Sequence, residues 1–280
     1  MVMFMSMILI TGALPENSGK TTFAEVLVSE AKQSGVDVGV SKPFCSSSGW
    51  YHYEVIEKSR ELGFLVGRDI LRLHTAAESR DEIEIENPVA SLAIPPDPEK
   101  LEWNFSQYRF SINQLVLMRV SDERTHHFLV SQNLELLSET LREEVEKLLK
   151  SLRGDVEEIE VEMIDDVLQR ARDISERALR TLKKRHELLI VESFSNVAAP
   201  NKESTEADLI IGVFPGKAIV YEGEKYRKAM EILLDFREPW QINLENLMEL
   251  LKPLKTIELK PKELGNRGIF EELRNEFLNL

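Results

Sequence analysis

A glycine-containing turn near the start of the chain separates an apolar run from a segment with helical spacing. The turn begins at Gly12 and ends in Gly19-Lys20-Thr21, after the apolar run Met7-Ile8-Leu9-Ile10. The next residues, Phe23-Ala24-Glu25-Val26-Leu27-Val28, place apolar side chains on one face of a helix. A turn that aims backbone N–H groups at one point, followed by the positive end of a helix, binds anions. The sequence therefore predicts a phosphate-binding turn.

The spacing of this turn differs from the common phosphate-binding pattern. That pattern has a glycine five residues before the glycine of Gly-Lys, and Leu14 stands at this position. The upstream glycine is Gly12, so the loop is two residues longer. Because the flanking strand and helix both fit, the segment is similar to the phosphate loop of P-loop nucleotidases. We predict that it binds a nucleotide.

The individual loop residues have separate expected roles. Lys20 would reach the β- and γ-phosphates, and the Thr21 hydroxyl would be a ligand of Mg²⁺. The residues expected to contact the nucleotide are Gly12, Glu16, Asn17, Ser18, Gly19, Lys20, Thr21 and Thr22.

Composition excludes some partners. The 280-residue chain has 35 Lys and Arg against 49 Asp and Glu, a formal charge of −14, which argues against nucleic acid and anionic membranes as partners. Cys45 is the single cysteine, so no internal disulfide forms, and we expect a cytoplasmic protein. No apolar run approaches the ~20 residues of a membrane span. Residues 1–10 lack a basic leader and are expected to form a strand, with Met1 or Met7 as the first residue of the protein.

Strands and helices are predicted to alternate along the chain. Predicted strands lie at 36–41, 115–120, 156–163, 188–192, 209–214 and 254–259, and predicted helices at 20–33, 51–62, 67–77, 134–152, 165–184, 222–235, 243–251 and 268–279. Four prolines within 87–98 predict an irregular connection. The alternation predicts an α/β fold, a doubly wound and mostly parallel sheet flanked by helices. We expect a single domain over 1–280, with an α-rich insertion at about 121–163.

Polar residues that follow apolar strands are the next site candidates, because ligands bind beyond the carboxyl ends of parallel strands. These are Ser41-Lys42, Glu192-Ser193 and Gly216-Lys217. A buried, unpaired Glu192 carboxylate would be costly, and Mg²⁺ would remove that cost, although capping a helix or pairing with an arginine would also do so. Lys42 would neutralise a phosphoryl group or hold an anionic substrate, or else it is a solvated lysine at a strand end.

Two other groups have no predicted catalytic role. His126-His127 is in a polar stretch and is expected at the surface. Ser193 and Ser195 are not in a Gly-x-Ser-x-Gly turn, which argues against a serine hydrolase.

Together these residues resemble dethiobiotin synthetase and the related cobyrinate synthases, in the P-loop branch that also contains MinD-like ATPases. Four patterns carry the resemblance: Thr11-Gly12 through Glu16 to Gly19-Lys20-Thr21, Ser41-Lys42-Pro43, Arg68-Asp69-Ile70-Leu71 with Glu86-Asn87-Pro88, and Ile190-Val191-Glu192-Ser193. The departures are the longer loop, Ser193 in place of a glycine, the insertion, and the lack of a clear base-reading asparagine. The lysine near the start of a MinD-type loop is also missing.

The resemblance implies a set of roles. It assigns Lys20 to phosphate and Thr21, Asp69 and Glu192 to Mg²⁺, and it implies that Lys42 serves the phosphates and a carbamate substrate. The implied cofactors are Mg²⁺ and ATP, with GTP left open, and the implied partners are a nucleotide and a small anionic substrate. Related enzymes are often dimers, so a homodimer is also left open.

Three functional hypotheses follow. The first is an ATP- and Mg²⁺-dependent enzyme that phosphorylates a small carboxylate or carbamate before a C–N bond or ring forms, with Lys20, Lys42 and Glu192 as its catalytic residues. The second is a nucleotide-dependent switch or assembly ATPase whose protein partner binds the acidic insertion. The third is a nucleotide-binding protein without turnover.

Overall fold

The computed structural model describes residues 6–261 and 265–278, and the chain separates into two compact units. Unit 1 comprises Met1–Pro43, Arg72–Glu86 and Glu176–Leu280, and unit 2 comprises Phe44–Leu71 and Asn87–Ser175. The segment predicted as an insertion, 121–163, lies entirely within unit 2. The single domain remains a prediction.

The described residues form eleven strands and eleven α-helices. The strands are β1 (Ser6–Gly12), β2 (Val38–Ser41), β3 (Phe44–Ser48), β4 (Val89–Ala93), β5 (Leu115–Ser121), β6 (Thr125–Val130), β7 (Val156–Ile159), β8 (Leu188–Glu192), β9 (Leu209–Phe214), β10 (Lys217–Glu222) and β11 (Lys255–Glu258). The helices are α1 (Lys20–Gln33), α2 (Glu54–Leu62), α3 (Arg68–Ala77), α4 (Ile83–Glu86), α5 (Phe105–Arg109), α6 (Ser131–Glu135), α7 (Glu139–Ser151), α8 (Ile164–Lys183), α9 (Gly223–Leu234), α10 (Leu244–Met248) and α11 (Ile269–Phe277).

Unit 1 contains a six-stranded sheet in the order β11-β10-β9-β1-β8-β2. Strands β9, β1, β8 and β2 are parallel, whereas β10 and β11 are antiparallel to their neighbours. Met7 and Leu9 of β1 pack in an apolar cluster with side chains of α8, α9 and α10. Ile8 and Ile10 are equally buried and point to the opposite face by strand alternation, and α1 packs against β1, β2 and β8. Both faces of the parallel part are therefore covered, as its apolar strands predict.

The strand order determines which residues meet at the edge of this sheet. β1 and β2 are consecutive strands joined by α1, but β8 lies between them and pairs with both. Glu192 is the last residue of β8 and is in register with Ile10. The fold therefore places Glu192 between the turn after β1 and the residues after β2.

Unit 2 has its own five-stranded mixed sheet in the order β3-β4-β5-β6-β7. The β3–β4 and β6–β7 pairs are parallel, and β4–β5 and β5–β6 are antiparallel. One apolar cluster includes side chains from α2, β4, β5 and α7, and a second includes Met118, Val130 and residues of α8. Unit 2 is thus an α/β unit with its own core.

The structure confirms an α/β fold and corrects its details. It has two mixed sheets rather than one mostly parallel sheet. The predicted irregular connection at 87–98 contains β4, because the prolines lie before and after this strand and do not interrupt it. The predicted α-rich insertion contains β6 and β7 beside α6 and α7. Strands β3, β4, β6 and β10 were not predicted. Residues 1–5 and Asn279, which fall in predicted elements, lie outside the described residues.

The long helices were predicted best. The predicted helices at 20–33, 67–77 and 165–184 are confirmed as α1, α3 and α8 to within one residue at each end.

No helix within 6–261 or 265–278 has both the length and the apolar composition required to cross a membrane.

Candidate functional site

The turn after β1 requires a glycine at its first position. Gly12 ends β1, and the next residue, Ala13, donates its N–H to the Val213 carbonyl of β9 at 3.1 Å. A Cβ at position 12 would lie 2.3 Å from Ser18 Oγ and 2.9 Å from two carbons of the Lys20 side chain. Only glycine therefore lets the returning loop pack this closely against the strand end.

The loop returns to the helix through residues with positive φ. Asn17 has φ +58° and Gly19 has φ +91°, and α1 begins directly after Gly19. The left-handed conformation favours glycine and asparagine. The first turn of α1 contains no acidic residue, so no carboxylate there competes for the helix N-terminus, whose N–H groups favour an anion.

Lys20 is the first residue of α1 and is almost completely buried. Its Nζ donates to Ser18 Oγ at 3.1 Å, so the ammonium group lies over the loop. Ser18 is also buried, whereas Leu14, Glu16 and Asn17 are exposed. The loop therefore has a buried ammonium group, and its outer residues are exposed.

The buried Glu192 carboxylate joins three segments that are far apart in the chain. Its Oε1 atom accepts from the Thr21 hydroxyl at 2.8 Å and from Lys42 Nζ at 2.7 Å. Lys42 Nζ also donates to the Ser193 carbonyl at 2.9 Å. Glu192 is 0 % exposed and Lys42 is 3 % exposed. Lys42 is therefore not the solvated lysine that the sequence left open, and the partners of Glu192 include a lysine.

Thr22 has a different contact from its neighbour Thr21. Its hydroxyl accepts from Arg72 Nη2 at 3.2 Å, and the same guanidinium pairs with Glu25 of α1. Arg72 was not among the predicted site residues, because nothing in its local sequence indicates a contact 50 positions away. This side chain ties α3 to the first turn of α1.

Hydroxyl groups hold the ends of β1 and β8 together. The Thr11 and Ser193 hydroxyls both donate to the Val197 carbonyl, at 2.7 and 2.8 Å. Ser193 N donates to the Ile10 carbonyl at 2.8 Å. The Ser193 hydroxyl therefore has a structural partner in the Val197 carbonyl.

Glu86 holds the segment that carries Lys42. Its backbone carbonyl accepts from Lys42 N at 2.8 Å and from the Ser41 hydroxyl at 3.2 Å. Its buried carboxylate lies 2.7 Å from His74 Nδ1. This hydrogen bond raises the pKa of His74 above its ordinary value, although burial of the ring opposes the shift. Glu86 was part of the family resemblance, but no role was predicted for it.

Asp69 lies in the first turn of α3 and is half-buried. The division between the units falls within this helix, between Leu71 and Arg72, so Asp69 belongs to unit 2 and Thr21 and Glu192 belong to unit 1. Its predicted role beside them as a magnesium ligand remains a prediction.

The described residues contain no group of three or more His, Cys, Asp and Glu side chains placed to hold a metal ion. A nucleotide-bound Mg²⁺ needs less, because phosphates and waters supply most of its ligands and the protein adds one or two oxygens. The Thr21 hydroxyl and the Glu192 carboxylate, which are in contact at 2.8 Å, fit that requirement.

Of two other groups named from the sequence, Gly216-Lys217 stays a predicted site candidate and His126-His127 is corrected. Lys217 is exposed and begins β10 after a hairpin turn at Gly216, which has φ +84°. The surface position predicted for His126-His127 is wrong for His127, which is buried because β6 is an inner strand and alternation turns it inward. His127 Nε2 accepts from Leu65 N at 3.1 Å.

Neither the protein-family models nor the curated proteins that were compared with this sequence give a match.

Proposed function

We propose that this chain binds ATP with Mg²⁺ at residues 12–22 and uses it to phosphorylate a small carboxylate or carbamate before a C–N bond or ring forms. The observation that carries the proposal is the contact of Glu192 Oε1 with both Thr21 and Lys42. A hydroxyl and a carboxylate oxygen side by side are magnesium ligands, and a neighbouring ammonium group suits a phosphate.

The turn between β1 and α1 also supports the proposal. Gly12 and Gly19 allow the close return of the loop, and the N–H groups at the start of α1 and the buried Lys20 ammonium provide positive charge at one place. These groups would hold a polyphosphate and stabilise the additional charge on its oxygens during transfer. The contribution of the chain is then positioning and charge neutralisation, with little covalent chemistry.

Mg²⁺ and the anionic substrate would contact different side chains of the site. Mg²⁺, when bound with the nucleotide, would be held by Thr21 and Glu192 and would neutralise charge on the phosphate oxygens. Lys42 would exchange part of its contact with Glu192 and the Ser193 carbonyl for an anionic group of the nucleotide or substrate. The choice of ATP and of a carboxylate or carbamate acceptor rests on the family resemblance.

Replacement of Lys20 tests nucleotide binding. Loss of a buried charge contact costs about 2–5 kcal/mol, so Lys20→Ala should weaken binding of a fluorescent ATP analogue by at least roughly 30-fold. Lys32→Ala is the matched control, because Lys32 lies on the same helix about 18 Å away and pairs with Glu78 at the surface. Equal affinity of the two variants would refute the site, and competition with unlabelled ATP and GTP would identify the preferred base.

Replacement of Thr21 tests the magnesium role. Thr21→Val removes the hydroxyl at nearly constant shape, whereas Thr21→Ser retains it. We expect Thr21→Val to lose the increase in affinity and turnover that Mg²⁺ produces over EDTA, and Thr21→Ser to keep most of it. If Thr21→Val responds to Mg²⁺ as the parent protein does, the hydroxyl is not a ligand.

A second candidate function is the switch or assembly ATPase acting on a protein partner. It is favoured by unit 2, a separate compact unit with exposed aromatic side chains. An enzyme should release ADP faster when a small carboxylate or carbamate substrate is added to the isolated protein. A switch should turn over slowly until its protein partner is present.

A further inference from the structure

Unit 2 exposes six aromatic side chains on two segments. They are Trp50, Tyr51, Tyr53, Trp103, Phe105 and Phe110, here termed the aromatic surface. Trp50 and Trp103 are each 60 % exposed and Tyr51 is 79 % exposed. Aromatic side chains bury a large area on contact, and clusters of exposed ones mark interaction sites more often than scattered apolar residues do.

The two segments leave the same end of one parallel strand pair. Trp50 follows β3 and Trp103 follows β4, and the last residues of these strands, Ser48 and Ala93, are in register. Gly49 N donates to the Ala93 carbonyl at 2.8 Å, and a Cβ on Gly49 would lie 2.9 Å from Ile94. The loops that carry the two aromatic segments therefore leave the unit 2 sheet at the same end of neighbouring strands, with Trp50 two residues and Trp103 ten residues beyond the strand ends.

Both segments are also anchored to the region of α6 and α7. The Tyr53 hydroxyl hydrogen-bonds to Glu144 of α7. Lys100 Nζ donates to the Glu135 carbonyl at 2.8 Å and to the Leu137 carbonyl at 2.6 Å. The aromatic side chains thus project from segments that are attached to the body of unit 2.

The turn that carries Trp103 has a defined conformation. Glu102 and Trp103 have φ +49° and +58°, which is costly for side chains of this size, and Trp103 N donates to the Pro98 carbonyl at 2.9 Å. The Asn104 side chain then caps α5. The exposed indole is therefore presented by a structured turn, which lowers the entropy lost on binding.

The charge of this region indicates the kind of partner. Unit 2 has 22 Asp and Glu against 13 Lys and Arg, so it carries nine of the 14 net negative charges of the chain. Four exposed carboxylates flank the aromatic side chains: Glu54, Glu57, Glu99 and Glu102. Among the nearby charged side chains, Lys58 pairs with Glu61, Arg60 with Glu144 and Arg68 with Glu54. Arg109 is exposed between Phe105 and Phe110, so the carboxylates still outnumber the basic side chains that are not paired with Glu61, Glu144 or Glu54.

We propose that the aromatic surface binds a basic polypeptide segment of another protein. Arginine and lysine side chains would lie over the Trp and Tyr rings and pair with the flanking glutamates, and cation–π contacts and Trp anchors supply much of the affinity at such interfaces. A second copy of this chain would bring like charges together, and a nucleic acid would be repelled. The proposal does not depend on the nucleotide site.

The test uses the full chain without nucleotide and a fluorescein-labelled dodecapeptide of alternating arginine and glycine. The same peptide with citrulline in place of arginine keeps the planar side chain and removes the charge. We expect fluorescence anisotropy to show binding of the arginine peptide and much weaker binding of the citrulline peptide. Trp50→Ala and Trp103→Ala should each weaken the arginine peptide by ~5- to 30-fold, as truncated aromatic anchors do.

Two further variants and two further measurements decide the interpretation. Phe236→Ala removes an exposed aromatic ring from unit 1 and should leave peptide affinity unchanged. Trp103→Phe should restore part of the affinity lost in Trp103→Ala, and circular dichroism should show that all variants are folded. The proposal is wrong if the tryptophan variants bind like the parent protein, since binding would then be diffuse charge attraction. It is also wrong if sedimentation shows a dimer that Trp103→Ala dissociates.

Discussion

Lys42 and Glu192 form a buried ion pair. The effects of replacing them on the free energy of unfolding are therefore expected not to add. Three chains of the double-mutant cycle define the perturbation: Lys42→Met, Glu192→Gln, and the double variant. Methionine keeps most of the lysine volume without the charge, and glutamine keeps the shape of the carboxylate. Each single variant removes one charge of the pair and leaves the other buried, whereas the double variant replaces both with neutral groups.

The magnitude follows from the geometry. At the observed 2.7 Å, an effective dielectric constant of about 20 gives a Coulomb attraction of roughly 6 kcal/mol. Each single variant retains part of its hydrogen bonding, because Lys42 keeps the Ser193 carbonyl and Glu192 keeps the Thr21 hydroxyl. We therefore expect each single variant to lose about 3–5 kcal/mol of stability and the coupling free energy to be about 2–4 kcal/mol.

The assay is urea unfolding of the four chains at neutral pH without nucleotide, followed by circular dichroism. The pair formed by Glu224 and Lys228 on α9 is the control, since both side chains are more than half exposed. Its cycle should give a coupling that is near zero and that salt screens, whereas the coupling of the buried pair should persist in high salt.

A coupling below about 1 kcal/mol at Lys42 and Glu192 would refute the reasoning, because charge pairs this close and this desolvated couple more strongly. Coupling that disappears in salt, as at the exposed pair, would show that solvent reaches the pair in solution. In either case, the convergence of β2, β8 and α1 on one carboxylate would no longer support a nucleotide site.

Two further predictions concern the loop and the core of unit 2. Gly12→Ala should strongly weaken binding of the fluorescent ATP analogue, because its Cβ would overlap the Ser18 and Lys20 side chains. Gly35→Ala, with no neighbour within 4 Å of its Cβ, should bind normally despite its positive φ. Burial, with a contribution from a nearby arginine, lowers the pKa of His127 to about 4. The unfolded chain binds this proton near pH ~6.5. The contribution of neutral His127 to the free energy of unfolding should therefore be complete above that pH and be lost as pH falls toward about 4. Urea unfolding across this range should show a loss that His127→Gln reduces and that His126→Gln, at the exposed neighbour, does not.

Much of the local structure could be read from local sequence patterns. Apolar spacing over 20–33, 67–77 and 165–184 predicted three helices nearly to the residue, because a helix is stabilised by contacts three and four positions apart. The strand before Gly12, the glycine turn and the helix after it were also predicted from residues that are close together in the sequence. The short strand β4 was not, because the prolines beside it are a stronger local signal than its five residues.

Pairing between distant segments was beyond such patterns. β8 lies between β1 and β2, although nearly 150 residues separate it from β2, and only this order brings Lys42 and Thr21 to one oxygen of Glu192. The division into two sheets and the burial of His127 also depend on which strands become neighbours.

The order of the residues by itself thus determined the long helices, the apolar strands and the glycine turn after β1, because each depends on side chains a few positions apart. The tertiary structure decided the strand order, the buried pair of Lys42 with Glu192, and the attachment of Arg72 to the first turn of α1. These contacts form only when chain segments 47 to 171 residues apart pack together, and no local period encodes that packing.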